Sequence, residues 1–231
     1  MLLEFKNITK KYGNVTGLDI EQLNIDRGEC VVLVGNNGAG KTTAFSLILD
    51  LIQASDGTVL SKDKDVSTAE GWKTYTAAFL DETFLIDFLT PNEYFDFVGG
   101  LYNWSKSEVH TFVNQFEEFF NDEILGVKKY IRDLSKGNQK KVGIIGALIG
   151  NPEIVILDEP FASLDPTSQI RLKRLITDRM EQHTFLISSH DLTHVADVCN
   201  RIVILEKGKI IMDNPNTEET VKQMTEYFHV Q

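Results

Sequence analysis

Gly35-Asn36-Asn37-Gly38-Ala39-Gly40-Lys41-Thr42 is the stretch that decides the fold of this chain. It fits the pattern of a glycine, four residues, then glycine, lysine and a serine or threonine. The apolar run Cys30 to Val34 precedes it, and a predicted helix from Lys41 to Ile52 follows it. Glycines let main-chain N–H groups turn inward around phosphate oxygens, and the helix N-terminus presents its positive end to the same oxygens. The stretch therefore predicts a phosphate-binding loop between a strand and a helix.

The side chains at the end of the loop have separate predicted roles. Lys41 would reach the β- and γ-phosphates of a nucleotide, and Thr42 would ligate Mg²⁺. The residues predicted to bind nucleotide in this region are Gly35, Asn36, Asn37, Gly38, Ala39, Gly40, Lys41, Thr42 and Thr43. A chance match in a glycine-rich turn has a probability of about one per cent, from average residue usage. The loop alone does not separate kinases, GTPases and other ATPases.

An acidic pair follows a second apolar strand. Ile154 to Leu157 is apolar throughout, and Asp158 and Glu159 come directly after it. Because nucleotides bind at the carboxyl edge of such sheets, both acids are expected near the phosphate loop. Asp158 would hold Mg²⁺, and Glu159 would orient and deprotonate the attacking water. The alternative is an ordinary strand that ends in an acidic surface turn.

Composition narrows the class of protein. The chain has 231 residues, 42% hydrophobic residues and a formal charge of −11. This acidic balance would repel a phosphate backbone, so nucleic acid is not an expected partner. Cys30 and Cys199 lie in or beside apolar segments, which favours buried free thiols over a disulfide and suits a reducing cytosol. No segment has the length of a membrane span or the layout of a signal peptide, so a soluble chain is expected.

The periodic segments predict three regions. Short strands dominate up to about Leu80, and the region from about Thr83 to Gly150 is predicted to be helical. Thr90-Pro91-Asn92-Glu93 and Ser105-Lys106-Ser107-Glu108 are capping-box patterns that start two of its helices. An aromatic stripe follows the second pattern and is attributed to core packing. Strands and helices then alternate to a hairpin around Lys207-Gly208, which predicts a sheet covered on both faces and a final surface helix.

Three further motifs carry a family resemblance. Leu134-Ser135-Lys136-Gly137-Asn138-Gln139 begins a helix, Ser163-Leu164-Asp165-Pro166 follows the acidic pair, and Ser188-Ser189-His190-Asp191 ends a later strand. With the loop and the acidic strand, they resemble the ATP-binding cassette (ABC) ATPases, the nucleotide-binding subunits of membrane transporters. The likeness spans nearly the whole chain, and its motifs are highly specific as a set.

The resemblance implies a fold and a domain organisation. The fold class is α/β: a P-loop NTPase core with a mixed sheet flanked by helices, an N-terminal antiparallel β subdomain and an inserted α-helical subdomain. Residues 1–231 would form a single ABC ATPase domain. Its core and β subdomain would take residues 1–82 and 151–231, and the helical signature subdomain residues 83–150.

The resemblance also implies residue roles, with ATP and Mg²⁺ as cofactors. Tyr12 would stack on adenine, Glu159 would be the catalytic glutamate, and His190 would contact the γ-phosphate. Ser135 and Gly137 would face the ATP of a second ATPase subunit, so the expected assembly is a homodimer. Asp165 would link the two nucleotide sites.

Two positions depart from the family pattern. The usual signature is Leu-Ser-Gly-Gly-Gln, and here Lys136 and Asn138 replace a glycine and the glutamine. The glutamine expected after the strand ending at Leu80 is Glu82 in this chain. Lys136 either adds positive charge near a γ-phosphate or turns to solvent. Glu82 could still approach Mg²⁺, although a carboxylate there changes the local charge by one unit.

The resemblance implies a separate transmembrane permease subunit as partner. The segment from Glu82 through the helix after Pro91 would face it, with the apolar residues Phe84, Leu85, Ile86, Phe88 and Leu89. Internal packing is the alternative for most of them. The protein would then be cytoplasmic and peripheral on the inner face of the membrane, and the variant signature with Glu82 resembles bacterial export systems. A soluble ABC ATPase acting on DNA or the ribosome is the main alternative, and a P-loop kinase is another.

Overall fold

The structure is a computed structural model that describes residues 1–191 and 197–229. Its strands are β1 Leu3–Tyr12, β2 Val15–Ile25, β3 Cys30–Val34, β4 Asp56–Ser61, β5 Lys64–Asp65, β6 Thr76–Phe79, β7 Ile154–Leu157, β8 Thr184–Ser189, β9 Arg201–Glu206 and β10 Lys209–Pro215. Its α-helices are α1 Lys41–Ile48, α2 Pro91–Leu101, α3 Lys106–Asn114, α4 Glu117–Phe120, α5 Lys136–Gly146, α6 Pro166–Arg179 and α7 Glu218–His229. Short 3₁₀ helices cover Gly71–Thr74, Glu82–Phe84 and Ile131–Asp133.

A six-stranded mixed sheet forms the centre of the molecule. Its order is β10-β9-β3-β8-β7-β6, with β10 antiparallel at one edge and the other pairings parallel. Every residue of β3, β7 and β8 is buried, as expected for strands covered on both faces. Parallel pairing places the carboxyl ends of these three strands at one edge. The segments that follow Val34, Leu157 and Ser189 therefore meet there.

A second sheet is antiparallel and comes from the first part of the chain. Its order is β2-β1-β4-β5, and the long hairpin of β1 and β2 pairs from Leu3 with Ile25 to Tyr12 with Val15. Leu3, Phe5 and Ile8 are fully buried, so β1 presents an apolar face to the core. The two sheets and their helices confirm the predicted α/β fold with a mixed sheet and an N-terminal antiparallel sheet. The tip of β1 carries Tyr12 to the edge where the central strands end.

The middle of the chain is helical, and both predicted capping boxes are present. Thr90 caps α2 and Ser105 caps α3, each with the reciprocal bond from the glutamate three residues later. The aromatic stripe packs in the core as predicted, with Phe116, Phe119 and Phe120 buried. The helix is interrupted, however, because α3 ends at Asn114 and α4 begins at Glu117.

Two predicted helices differ from the structure. The first helix ends at Ile48 rather than Ile52, because Asp50 adopts a left-handed φ of 50°, which a continuous right-handed helix does not allow. The last helix is not only a surface element: Met224 on α7 is fully buried. Tyr227 Oη donates a hydrogen bond to Glu206. This helix therefore packs on the central sheet.

The two cysteines are free and buried, as predicted. Burial raises the pKa of the Cys199 thiol to about 12, and it raises the pKa of Cys30 as well. Across residues 1–191 and 197–229, no helix combines the length and apolar character needed to cross a bilayer.

Candidate nucleotide-binding site

A cavity of about 590 Å³ lies at the edge where the central strands end. The phosphate loop forms one wall, and Asp158 and Glu159 form another. Tyr12 borders the opening, and Lys140 of α5 also lines the cavity. The structure thus brings the predicted phosphate-binding and acidic residues to one place.

The phosphate loop has the main-chain geometry that its glycines allow. Gly38 and Gly40 have φ values of 83° and 111°, in the left-handed region that side chains rarely adopt. A Cβ atom on Gly40 would lie 2.9 Å from the Gly17 carbonyl oxygen, so the position has no room for a side chain. Lys41 Nζ is folded back over the loop and donates to the Gly35 carbonyl oxygen at 2.6 Å. The loop and its lysine therefore surround a space suited to phosphate oxygens.

Oxygen atoms cluster beside the loop at Asp158. Thr42 Oγ1 donates to Asp158 Oδ2 at 2.6 Å, and Ser188 Oγ donates to Asp158 Oδ1. Asp158 is buried, with 6% of its surface exposed. Hydroxyl and carboxylate oxygens are the hard ligands that Mg²⁺ takes, usually one or two from the protein with the rest from phosphate and water. The donor set at Thr42 and Asp158 therefore fits Mg²⁺ bound together with a nucleotide.

Glu159 is held in a left-handed conformation at the mouth of the cavity. Its φ is 47°, a conformation that costs about 1–2 kcal/mol for a residue other than glycine. Its N–H donates to Ser188 Oγ at 2.8 Å. Its carboxylate lies 2.8 Å from His190 Nδ1 and 3.4 Å from Lys41 Nζ. The structure thus joins Glu159 to His190, two residues that lie 31 positions apart in the sequence.

Lys140 is a site residue that the sequence prediction missed. Its Nζ donates to the Glu159 carbonyl oxygen at 2.9 Å and lies 3.7 Å from Glu82 Oε1. Only 6% of the residue's surface is exposed. The signal available in the sequence was its position five residues after Ser135, on the helix of the signature motif. A lysine within such a helix is expected to face solvent, so the predicted site included no residue after Asn138.

Tyr12 lies at the open end of the cavity. Half of its surface is exposed, and Lys10 Nζ lies 5.1 Å from the ring centroid. An exposed aromatic face beside a phosphate loop can stack on a planar base. The geometry is compatible with the predicted adenine contact.

Ser135, Gly137 and Asp165 do not line the cavity. Ser135 caps α5, where its Oγ accepts from Asn138 N at 3.2 Å. A Cβ atom on Gly137 would lie 2.8 Å from the Ser163 carbonyl oxygen, so α5 and the loop after Glu159 are in close contact. Asp165 caps α6, and hydrogen bonds from Ser168 lower the pKa of its carboxyl group. These residues, at the starts of α5 and α6, thus lie outside the cavity lining, and Lys136 beside Ser135 is exposed.

Comparison with known proteins identifies the family. Residues 18–162 match the protein family described as ABC transporter. The chain belongs to the ABC transporter ATP-binding family. Its fold is that of an ABC ATPase cassette, its cofactors are ATP and Mg²⁺, and its enzymatic activity is ATP hydrolysis, as predicted.

Relatives of this ABC ATPase include two curated proteins. It is 35% identical over 199 residues to an uncharacterized ABC transporter ATP-binding protein of Synechocystis, covering 81% of this chain and 53% of that protein. It is 29% identical over 228 residues to the carnitine transport ATP-binding protein OpuCA of Listeria monocytogenes, covering 93% of this chain and 56% of that protein. The chain thus spans a little over half the length of these two relatives. A solved structure of an ATP-binding subunit of an ABC transporter superposes with a TM-score of 0.84 at 27% identity, covering 97% of this chain and 94% of that one.

Proposed function

We propose that this ABC ATPase powers a membrane transporter as one of two identical subunits that enclose ATP between them. The observation that carries the proposal is the division of the predicted residues into two surfaces. Lys41, Thr42, Asp158 and Glu159 line one cavity, whereas Ser135 caps a helix on a separate surface. A nucleotide in the cavity would be completed by the α5 N-terminus of the partner, because helix N-termini bind phosphate.

Within one subunit, different residues bind the phosphates, the metal ion and the adenine. Lys41 and the loop N–H groups bind the phosphates, Thr42 and Asp158 hold Mg²⁺ with Glu82 as a further candidate, and Tyr12 stacks on adenine. Bound Mg²⁺ neutralises charge that develops on the phosphate oxygens.

Glu159 and His190 act on the attacking water. The Glu159 carboxylate orients the water and accepts its proton. His190, 2.8 Å from that carboxylate, holds it in place and contacts the γ-phosphate. Asp165 links the two sites across the dimer.

Glu159→Gln tests this arrangement. We expect ATP hydrolysis to fall about a hundredfold or more, since general-base groups contribute roughly that much. Because ATP then persists, the variant with ATP and Mg²⁺ should elute as a dimer in size-exclusion chromatography with light scattering. Glu153→Gln is a matched control, since Glu153 pairs with Arg27 and Lys62 away from the cavity. A Glu159→Gln protein that stays monomeric and hydrolyses ATP at the wild-type rate would falsify the proposal.

We also propose that the segment from Glu82 through α2 forms the arm that contacts a separate permease. Phe84 and Phe88 are 56% and 61% exposed, which favours a docking role for these two. Leu85 is buried, so internal packing accounts for it, and Ile86 and Leu89 are half-buried. Contact through this arm would place the chain at the inner face of the membrane.

Copurification from detergent extracts tests the docking surface. A tagged Phe84→Ser/Phe88→Ser protein should lose a membrane protein that the wild type retains, with ATP binding unchanged. Ile211→Ser is the control, because Ile211 is 44% exposed on the distant edge strand β10. Equal recovery of the membrane protein with both variants would count against this surface.

For the direction of transport we propose export, on the strength of Glu82 and the signature variant with Lys136. The carnitine transport relative makes import the competing direction. Once the permease is copurified, ATP-dependent substrate uptake into inside-out vesicles would support export. ATP-dependent loss of preloaded substrate from the same vesicles would indicate import.

A further inference from the structure

Lys140 contacts both the segment of Glu82 and the segment of Glu159, two residues that have separate roles in the family pattern. Its ammonium group lies 3.7 Å from Glu82 Oε1 on the 3₁₀ helix after β6, and it donates to the Glu159 carbonyl oxygen after β7. The Lys140 side chain is 8% exposed and the Glu82 side chain 20% exposed. The ion pair is therefore largely shielded from solvent.

The ion pair of Lys140 with Glu82 balances negative charge near the cavity. Asp158 and Glu159 already place two carboxylates at the cavity, and Lys41 lies 3.4 Å from Glu159 Oε1. Glu82 is a third carboxylate, and Lys140 ties it to the main chain of Glu159; neighbouring like charges destabilise one another unless a cation offsets them. Lys140 is that cation.

We propose that Lys140 is a positioning residue for hydrolysis, and that it acts as a pair with Glu82. Its hydrogen bond fixes the main chain of Glu159, whose left-handed conformation needs support from its neighbours. Its ion pair fixes Glu82, two residues before Phe84. The pair thus joins the glutamate of the ATP site to the segment proposed to meet the permease. This inference rests on the proposed function of Glu159.

Because Lys140 and Glu82 are shielded, removing one partner differs from removing both. Lys140→Gln would leave the Glu82 carboxylate without its cation beside two other carboxylates, which is costly in a shielded site. Glu82→Gln together with Lys140→Gln would leave two neutral amides and no uncompensated charge. The proposal therefore requires a strong interaction between the two substitutions.

A double-mutant cycle measures this interaction through the kcat for ATP hydrolysis. We expect Lys140→Gln alone to lower kcat about tenfold or more, and the same change in a Glu82→Gln background to lower it about threefold or less. ATP affinity, measured with a fluorescent ATP analogue, should stay within about threefold of wild type, because the phosphate loop is untouched. If wild-type protein does not bind the analogue, the proposed function fails; if it binds but the cycle shows no interaction, only the present inference fails.

Val142→Ala separates positioning from helix stability. Val142 lies two residues after Lys140 on α5 and is fully buried in the apolar core rather than in the cavity. Its truncation should lower the melting temperature with kcat changed by no more than about twofold. An equal fall in kcat for Lys140→Gln and Val142→Ala would overturn the inference. If Lys140→Gln alone does not fold, the step from Glu82→Gln to the double variant decides: about threefold loss or less supports the pair, and tenfold loss refutes it.

Discussion

Ser188 offers the sharpest test of how the site is held together. It is fully buried at the end of β8, and its single hydroxyl serves both acidic residues. The Oγ atom donates to Asp158 Oδ1 and accepts from the Glu159 N–H at 2.8 Å. Ser188→Ala removes this oxygen and leaves the fold otherwise unaltered. It therefore isolates one bridge between the strand β8, which precedes His190, and the acidic pair.

The cost of Ser188→Ala follows from the two bonds. A hydrogen bond to a charged group contributes about 1.5–3 kcal/mol, and a buried donor left without a partner costs about 1–3 kcal/mol. The two losses share one atom, so a combined destabilisation of about 3 kcal/mol is expected. For a chain of this size each kcal/mol lowers the melting temperature by roughly 2–4 °C, which gives a fall of about 6–12 °C.

Activity should fall with stability, because Glu159 loses the bond that fixes its N–H. A loss of about tenfold in kcat is expected, since small displacements of a catalytic group are costly. Thermal unfolding and steady-state ATP hydrolysis would be measured on the same preparations. Ser61→Ala is the matched control: Ser61 is a buried strand serine with one hydrogen bond, at 3.0 Å to Tyr75 Oη, far from the cavity. Its expected cost is about 1 kcal/mol. A Ser188→Ala protein no less stable than Ser61→Ala would refute the reasoning.

Three further changes test other parts of the structure. Thr42→Val removes the hydroxyl proposed to ligate Mg²⁺, so the Mg²⁺ concentration for half-maximal ATP hydrolysis should rise about tenfold or more, whereas nucleotide binding in EDTA persists. Gly137→Ala would place a Cβ atom 2.8 Å from the Ser163 carbonyl oxygen, so urea titrations should show a loss of about 1–3 kcal/mol in the free energy of unfolding. Gly100→Ala should show no such loss, because a Cβ atom there would meet no other atom within 4 Å. Burial lowers the pKa of His183, so the unfolded chain binds more protons in acid than the folded chain does. The free energy of unfolding should therefore fall as the pH drops below about 6.5, by up to about 1.4 kcal/mol per pH unit, and His183→Gln should remove this slope.

The local features of this protein were predictable from sequence because each depends on neighbouring residues. The phosphate loop is a continuous eight-residue pattern, and β7 occupies Ile154–Leu157 as predicted. The capping boxes at Thr90 and Ser105 depend on a residue and its third neighbour. Left-handed turns were harder, since the helix end at Asp50 has no glycine to mark it.

The contacts that tune the site were not predictable, because they join side chains whose own segments suggest nothing unusual. Ser188 meets Asp158 across 30 residues of sequence, and Lys140 meets Glu159 across 19. A serine at the end of an apolar strand and a lysine within a helix both resemble ordinary solvent-facing residues. Only the parallel order of β7 and β8, and the approach of α5 to the loop after β7, turn them inward. From the sequence alone, Glu82 was therefore only an isolated departure from the family pattern. In the fold, Lys140 lies beside it and balances its charge.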